Sequence, residues 1–577
     1  RNPFYKTIWN KMATKIKKYL LKKEVDHWNQ KLQQADKPSY NFWKISRNLI
    51  NPRTTQNLPI HGPNGLKYTN IEKTEIFVNQ LELQFQPNNE PYDEDTIQLV
   101  NNAVQNFVEA QDEDIDPELH PLTTSEEIFQ YLQKLPKEKA PGPDNISTLA
   151  LKTAPRKLST SLEALFNSCY KLGYFPQNWR KTKVCMIPKQ GKNTLFPQNY
   201  RPISLLSHLG KILEKILNKR LITEVEIKNI YPGHQFGFRS NHDTITQLVR
   251  IIDKIITNFN NNWYTIGVFL DVEKAFDKIW HAGVIYKLIR LEFPKPLIRI
   301  IKSYLEDRHF QVKFLNCLSD PKDIQAGVPQ GSPLSPTLYN IYTADIPQHR
   351  HTLMATFADD TALFAESKSL RFAQQWIQQH INAIEQWTEK WRIKINSEKC
   401  STILFTHRKQ QNLQILFRNQ QIPNETSTKY LGIILDQKLL FKSHIEATIA
   451  KTSRKISYLY PILHSNKIKI ATRLEIYNAI IRSSMLYASP AWNHTAKTRI
   501  QKLQVLQNRA LRIISGHSRD TRIQQIHEDL HMKLIEEELH RRRRSFWTRI
   551  QHSTFPEITQ IGTSIARRNL YKKPQPP

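Results

Sequence analysis

Cysteine is scarce in this chain, with four in 577 residues, Cys169, Cys185, Cys317 and Cys400. Residues so widely scattered form neither a CxxC zinc pair nor a dense disulfide framework, which points to a reducing, intracellular setting. Long apolar runs are missing too. None approaches the ~18 residues needed to span a bilayer, which argues against a membrane-spanning helix. None of the 20 histidines falls in HExxH or beside a close cysteine pair, which favours surface or core roles over metal ligation. The opening RNPFYKTIWN has neither an initiator Met nor an apolar signal core, as expected of a fragment of a longer product. Acidic residues are in deficit, 52 against 83 Lys and Arg, for a net charge of +31. Such an excess attracts a polyanion by counterion release, and nucleic acid is the first candidate. The basic runs KIKKYLLKK (15–23) and RRRR (541–544) fit that reading, although an arginine run also fits a nuclear address.

What is present is a chain too long for one core, with 39% hydrophobic and 23% charged residues. Residues 1–120 read as a helical extension, broken by the loop NPRTTQNLPIHGPNG. TTSEE (123–127) has capping-box spacing, and a new domain is expected from residue 121. Apolar residues from Leu205 to Leu221 recur at helical spacing among lysines. TIGVFLDV (265–272) reads as a strand buried on both faces and ending at Asp271, with helical spacing in AFDKIWHAGVIYKLIRL after it. LMATFADDTALFA (353–365) reads as strand, turn, strand with Asp359 and Asp360 at the bend. From Gln437 the pattern is helical, including KLQVLQNRALRIIS with a glycine stop.

Carboxylates next to apolar VFL and ATFA are costly without a cation. Asp271, Asp359 and Asp360 are thus candidate ligands for Mg²⁺, which wants hard oxygens and lets phosphates and water complete its shell. Taken singly, Asp271 also suits a helix cap and Asp-Asp a surface turn.

VFLDVEKAFDKIWH, AGVPQGSPLSPTLYNIY, FADDTALFA, INSEKCSTILFT and YLGIILD stand in the order of the reverse transcriptase motifs lettered A to E. With APGPDNIS, IPKQGK, NYRPISLL and HQFGFR before them, the chain resembles the non-LTR retrotransposon enzymes, most closely the jockey-like group of insects. The resemblance implies an α+β right-hand polymerase: an N-terminal extension over 1–120, fingers and palm over 121–436, a helical thumb over 437–520 and a basic segment over 521–577. It implies an RNA-directed DNA polymerase using two Mg²⁺ ions, with Mn²⁺ as a substitute. Partners would be template RNA, primer DNA and deoxynucleoside triphosphates, in a nuclear enzyme with a cytoplasmic ribonucleoprotein stage.

By the same resemblance Asp271 and Asp359 are the main metal ligands and Asp360 assists. Phe276 is the steric gate under the sugar, though helical spacing also makes it a core residue. Lys189 and Arg201 hold the triphosphate, or are an ordinary surface pair. Gln330 and Gly331, with Gly327 and Pro329, form a loop against the nucleotide, or a plain turn opening a helix. Lys399 donates a proton to pyrophosphate, or is simply solvated. Gln235 and Arg239 lie on the template side, and Tyr430 and Gly432 grip the primer. No endonuclease signature, cysteine-rich knuckle or RNase H carboxylate set is seen, so target nicking is left to a separate domain or protein. Two alternatives are a dead nucleic-acid-binding relic, which should have lost a carboxylate, and an intron maturase, which should carry a splicing domain after the thumb.

Overall fold

The computed structural model describes residues 3–35, 41–50, 58–110, 121–189, 191–409, 411–518 and 520–563. Helices and strands are mixed along the chain. Among the described residues no helix is long and apolar enough to cross a membrane. All four cysteines are free.

A four-stranded antiparallel sheet is built around the strand Tyr264–Leu270, in which Thr265 to Leu270 are all buried. Asp360–Ser367 pairs on one side of it and Ser401–Phe405 on the other, and Thr352–Phe357 completes the sheet. β-branched and aromatic residues suit a pleated surface covered on both faces. On one face Ile266, Val268 and Leu270 join Ile377, Ile381 and Ile384 of the helix Leu370–Lys390. On the other, Phe269 joins Ile251, Ile252 and Ile255 of the helix Thr244–Asn260. Gly267 is needed on that second face. A Cβ there would come within 2.8 Å of the Phe405 ring and 3.1 Å of the Phe364 ring.

In a second sheet Thr182–Pro188 runs parallel to Arg308–Phe314, with Tyr200–Leu205 antiparallel on its other side. Phe77, Val78 and Leu81 of the helix Asn70–Gln84 pack on Val184, Met186, Phe310 and Val312 of this sheet. That helix opens with a capping box between Thr69 and Glu72. The next helix, Glu94–Glu109, puts Val100 into one core with Leu122, Ile128 and Leu213. Residues 60–109 thus share cores with segments beyond residue 121, where the extension was expected to end. Residues 111–120, and 51–57 of the expected loop, lie outside the described residues. The remainder of that loop forms a hairpin of Ile60–Gly62 with Gly65–Lys67.

Several local expectations change. The helix expected to include Leu205 begins at His208, capped by Ser207, because Tyr200–Leu205 pairs into the second sheet instead. Phe276 is not helical: the helix after Asp271 starts only at His281. Between them the chain turns at Lys274, with φ 49°. Its carbonyls at Phe276 and Ile279 accept from Val328 and Gly327 N–H groups. The run TTSEE forms half of a capping box, since Thr124 accepts from Glu127 N while the Glu127 carboxylate bonds Lys219 and Arg220.

Lys497–Ser515 stops at Gly516 in the left-handed conformation, as its sequence indicates. The arginine run lies in the helix Ile535–Gln551, where Arg541 and Arg542, with Arg482 from another helix, converge on Glu538. Burial opposes ionisation of that carboxyl, yet the three guanidiniums hold it down at about 2. Leu459, Leu511 and Phe546 share one core, so the helices from Lys442 to residue 563 form a single packed body.

Glu214 is a polar exception within the helix His208–Ile227. It is 1% exposed, its Oε2 accepts from Ser332 Oγ at 2.5 Å, and its Oε1 has no partner. Burial pushes the carboxyl up to about 7, against the pull of that hydrogen bond and the Arg308 charge. A carboxyl raised above its unfolded value contributes stability that is complete below about pH 4.5 and lost as pH rises through 7. Glu214→Gln should therefore shrink the stability difference between pH 5.5 and 8 by about 2 kcal/mol in urea melts. An unchanged difference would place the titration elsewhere.

Candidate active site

Asp271 follows the last residue of the central strand, and its backbone carbonyl accepts from Asn396 N at 2.9 Å. Asp359 and Asp360 stand at the bend of the hairpin beside it. The register couples them: Thr361 pairs with Leu270, leaving Asp360 and Asp271 as the next residues along the two strands. Ala358 and Asp359 form the two-residue bend, and Ala358 has φ 59°, a conformation for which hairpins usually choose glycine.

The three carboxylates feel one another. Burial raises Asp359, with the Asp271 charge adding to it, while a backbone hydrogen bond and Arg201 oppose. Asp360 is raised to about 6 by burial and then by Asp359 and Asp271. Asp271 carries a counter-charge instead, its Oδ2 lying 3.3 Å from Lys399 Nζ. Among the described residues no three His, Cys, Asp or Glu side chains are arranged as a ready metal site. The donor chemistry nevertheless fits a divalent cation: hard oxygens, partly buried, and repelling one another. Asp271, Asp359 and Asp360 are the residues that would hold it.

Cations crowd the same place. Lys189 is held below the usual ammonium range by burial and then by Arg201, Lys399 and Lys274. Its Nζ donates to Gln198 O at 2.9 Å, and Arg201 lies opposite Ile187 in the neighbouring strand. Cations held together against their mutual repulsion make a site for a polyanion such as a triphosphate. Lys274 had no signal of its own in the sequence beyond being one lysine among many.

Phe276 is half-buried in the turn segment. Its ring stacks on Tyr339 at 4.9 Å and meets exposed Phe238 edge-on at 5.9 Å. Gly327, at φ 88°, must be glycine, because a Cβ would fall 2.5 Å from Asp277 O. Gly331 is exposed, at φ 129°. Gln330 is committed elsewhere than the sequence indicates: its Nε2 donates to both oxygens of buried Asp277, at 2.9 and 3.0 Å. Gln84, from the helix Asn70–Gln84, donates to the same carboxylate at 2.7 Å. Burial raises Asp277 to about 6, and the two amides oppose this. Neither Asp277 nor Gln84 was singled out from the sequence, where a partner 193 residues away leaves no periodic trace.

Of the residues expected along template and primer, Gln235, Arg239 and Tyr430 are engaged within the chain. Gln235 is 5% exposed, and its side chain points into the hairpin bend. Arg239 pairs with Glu557 at 2.8 Å and lies over the Phe555 ring. Tyr430 is 4% exposed, with its hydroxyl donating to Ala355 O and its ring against Phe269, so it fastens its hairpin to the central sheet. Gly432 is exposed at that hairpin's tip, at φ 86°, and a Cβ would meet Tyr487 at 2.9 Å.

Residues 187–435 match the family model described as reverse transcriptase (RNA-dependent DNA polymerase). Over 98% of its length the chain is 33% identical to the RNA-directed DNA polymerase from mobile element jockey of Drosophila melanogaster, covering 62% of that protein. Two other proteins of that fly are similar: the probable RNA-directed DNA polymerases from transposon X-element, 31% identical, and from transposon BS, 32% identical. They match 99% and 100% of this chain, each over 63% of its own length. The chain therefore spans a little under two thirds of the curated relatives it matches. Among solved structures, an apo telomerase from Candida tropicalis aligns with 49% of this chain and 59% of its own, at 14% identity and a TM-score of 0.32, too low to carry an inference.

Removing the Asp277 carboxylate would strand two inward-facing amides. Asp277→Ala should cost roughly 2–4 kcal/mol in urea denaturation. A cost below about 0.5 kcal/mol would mean that water satisfies both amides.

Proposed function

Since this chain belongs with the reverse transcriptases of non-LTR retrotransposons, we propose that it copies RNA into DNA by nucleotidyl transfer. The observation that carries this reading is the pairing that sets Asp359 and Asp360 beside Asp271, with Arg201 and Lys189 grouped against them. In this reading the four-stranded sheet is the palm, the second sheet with the helices Asn70–Gln84 and Glu94–Glu109 belongs to the fingers, and the helices from Lys442 form the thumb.

Asp271, Asp359 and Asp360 would hold two Mg²⁺ ions, or Mn²⁺ as a substitute, which would supply charge stabilisation to the phosphoryl group being transferred. The chain's own groups do the rest. Lys189, Arg201 and Lys274 bind and orient the triphosphate of a deoxynucleotide. Phe276, braced by Tyr339 and Phe238, closes the space that a 2′-hydroxyl would enter. Lys399 brings a proton on Nζ to the side from which pyrophosphate leaves. The exposed backbone at Gly331 approaches the nucleotide, and the tip at Gly432 approaches the primer. Target priming with a nick made by a separate endonuclease, in the nucleus after a cytoplasmic ribonucleoprotein stage, completes the proposal.

Primer extension on an RNA template with Mg²⁺ tests it. Asp359→Ala should lower the rate at least about 10³-fold, and chelation should abolish extension, with Mn²⁺ restoring it. Extension that survives the substitution would sink the mechanism. Phe276→Val should admit ribonucleotides; unchanged discrimination would reject the gate.

A further inference from the structure

The segment around Gln235 lies on the open edge of the hairpin. Gln235 bridges Thr356 in parallel, Phe236 N donates to Thr356 O at 2.9 Å, and Thr356 N donates to His234 O at 3.0 Å. From this short added strand the Gln235 side chain reaches the bend. Its Oε1 accepts from Ala358 N at 3.0 Å and from Gly237 N at 2.8 Å. Ala358 is the residue held at φ 59°, immediately before Asp359. A left-handed alanine is strained, and a buried backbone N–H without a partner is costly, so the bend is imposed from outside its own sequence.

Gly237 makes the fit tight: a Cβ there would stand 2.1 Å from Ala358 N. The segment is held in turn by Asn340 Nδ2 donating to Gly237 O at 2.8 Å. Gln247 Nε2 adds donations to His234 O at 3.1 Å and to Thr356 O at 3.2 Å.

We propose that Gln235 is a positioning residue that fixes the Ala358–Asp359 bend, and not a contact to the template. The role rests on the polymerase reading, because it acts through Asp359 and Asp360. Displacing reacting groups by about 1 Å costs on the order of 10²-fold in rate.

Two variants of the full chain test the proposal by different routes. Gln235→Met keeps the length and removes the acceptor; Gly237→Ala keeps the acceptor and pushes on the bend. Both should lower kcat by about 10²-fold while leaving the dissociation constant for template–primer within about twofold. Amide hydrogen exchange of the segment 353–365, read by mass spectrometry without nucleotide or metal, should accelerate in both. A preserved kcat with template–primer binding weakened tenfold in Gln235→Met would restore the template role and overturn ours. If the parent fails to extend any primer, the polymerase reading fails by itself. Exchange in 353–365 still decides the clamp then: acceleration upholds it, and an unchanged rate overturns it.

Discussion

Everything proposed for the site depends on one antiparallel pairing, that of Tyr264–Leu270 with Asp360–Ser367. A slip of one residue would turn every side chain of the moving strand to the opposite face and carry Asp271 past the bend. The register is held by shape as much as by hydrogen bonds. Gly267 leaves room for the rings of Phe364 and Phe405, and alternate residues of the strand are locked into two different cores. Apolar packing well away from the carboxylates thus determines how close they come, which Coulomb repulsion alone would oppose.

Charge is distributed unevenly over this basic chain. Around Lys189 cations gather and add to the burial that lowers its pKa, whereas at Glu538 three arginines are absorbed by a single buried carboxylate. The four consecutive arginines draw the eye in the sequence, yet two of them serve the packing of helices. Single lysines, Lys189 and Lys399 within motifs and Lys274 beside Asp271, are the cations grouped near the carboxylates.

Legibility in the sequence followed the range of the interactions. The buried strand, the hairpin with its two aspartates and the helix ending at Gly516 rest on neighbours within a few residues and could be read directly. The stretch from Val272 to Trp280 could not. Its apolar spacing is helical, but its carbonyls are taken by Gly327 and Val328, some fifty positions on. Gln330, Gln235, Arg239 and Tyr430 were each legible as motif members, but their side chains go to Asp277, the hairpin bend, Glu557 and Ala355. A motif marks a place in the chain without saying which way a side chain turns.

Gln84 sits more than a hundred positions before the segment that the family model matches, and its amide nevertheless ends on Asp277 in the middle of it. Phe77, Leu81 and Phe85 cover the second sheet from the same region. A piece trimmed to residues 187–435 for crystallisation or enzymology would lose most of Thr182–Pro188, the strand that joins Tyr200–Leu205 to Arg308–Phe314, and leave a buried acid short of a donor. The packed unit is wider than the span of the family model, and cloning boundaries are better drawn upstream of residue 60.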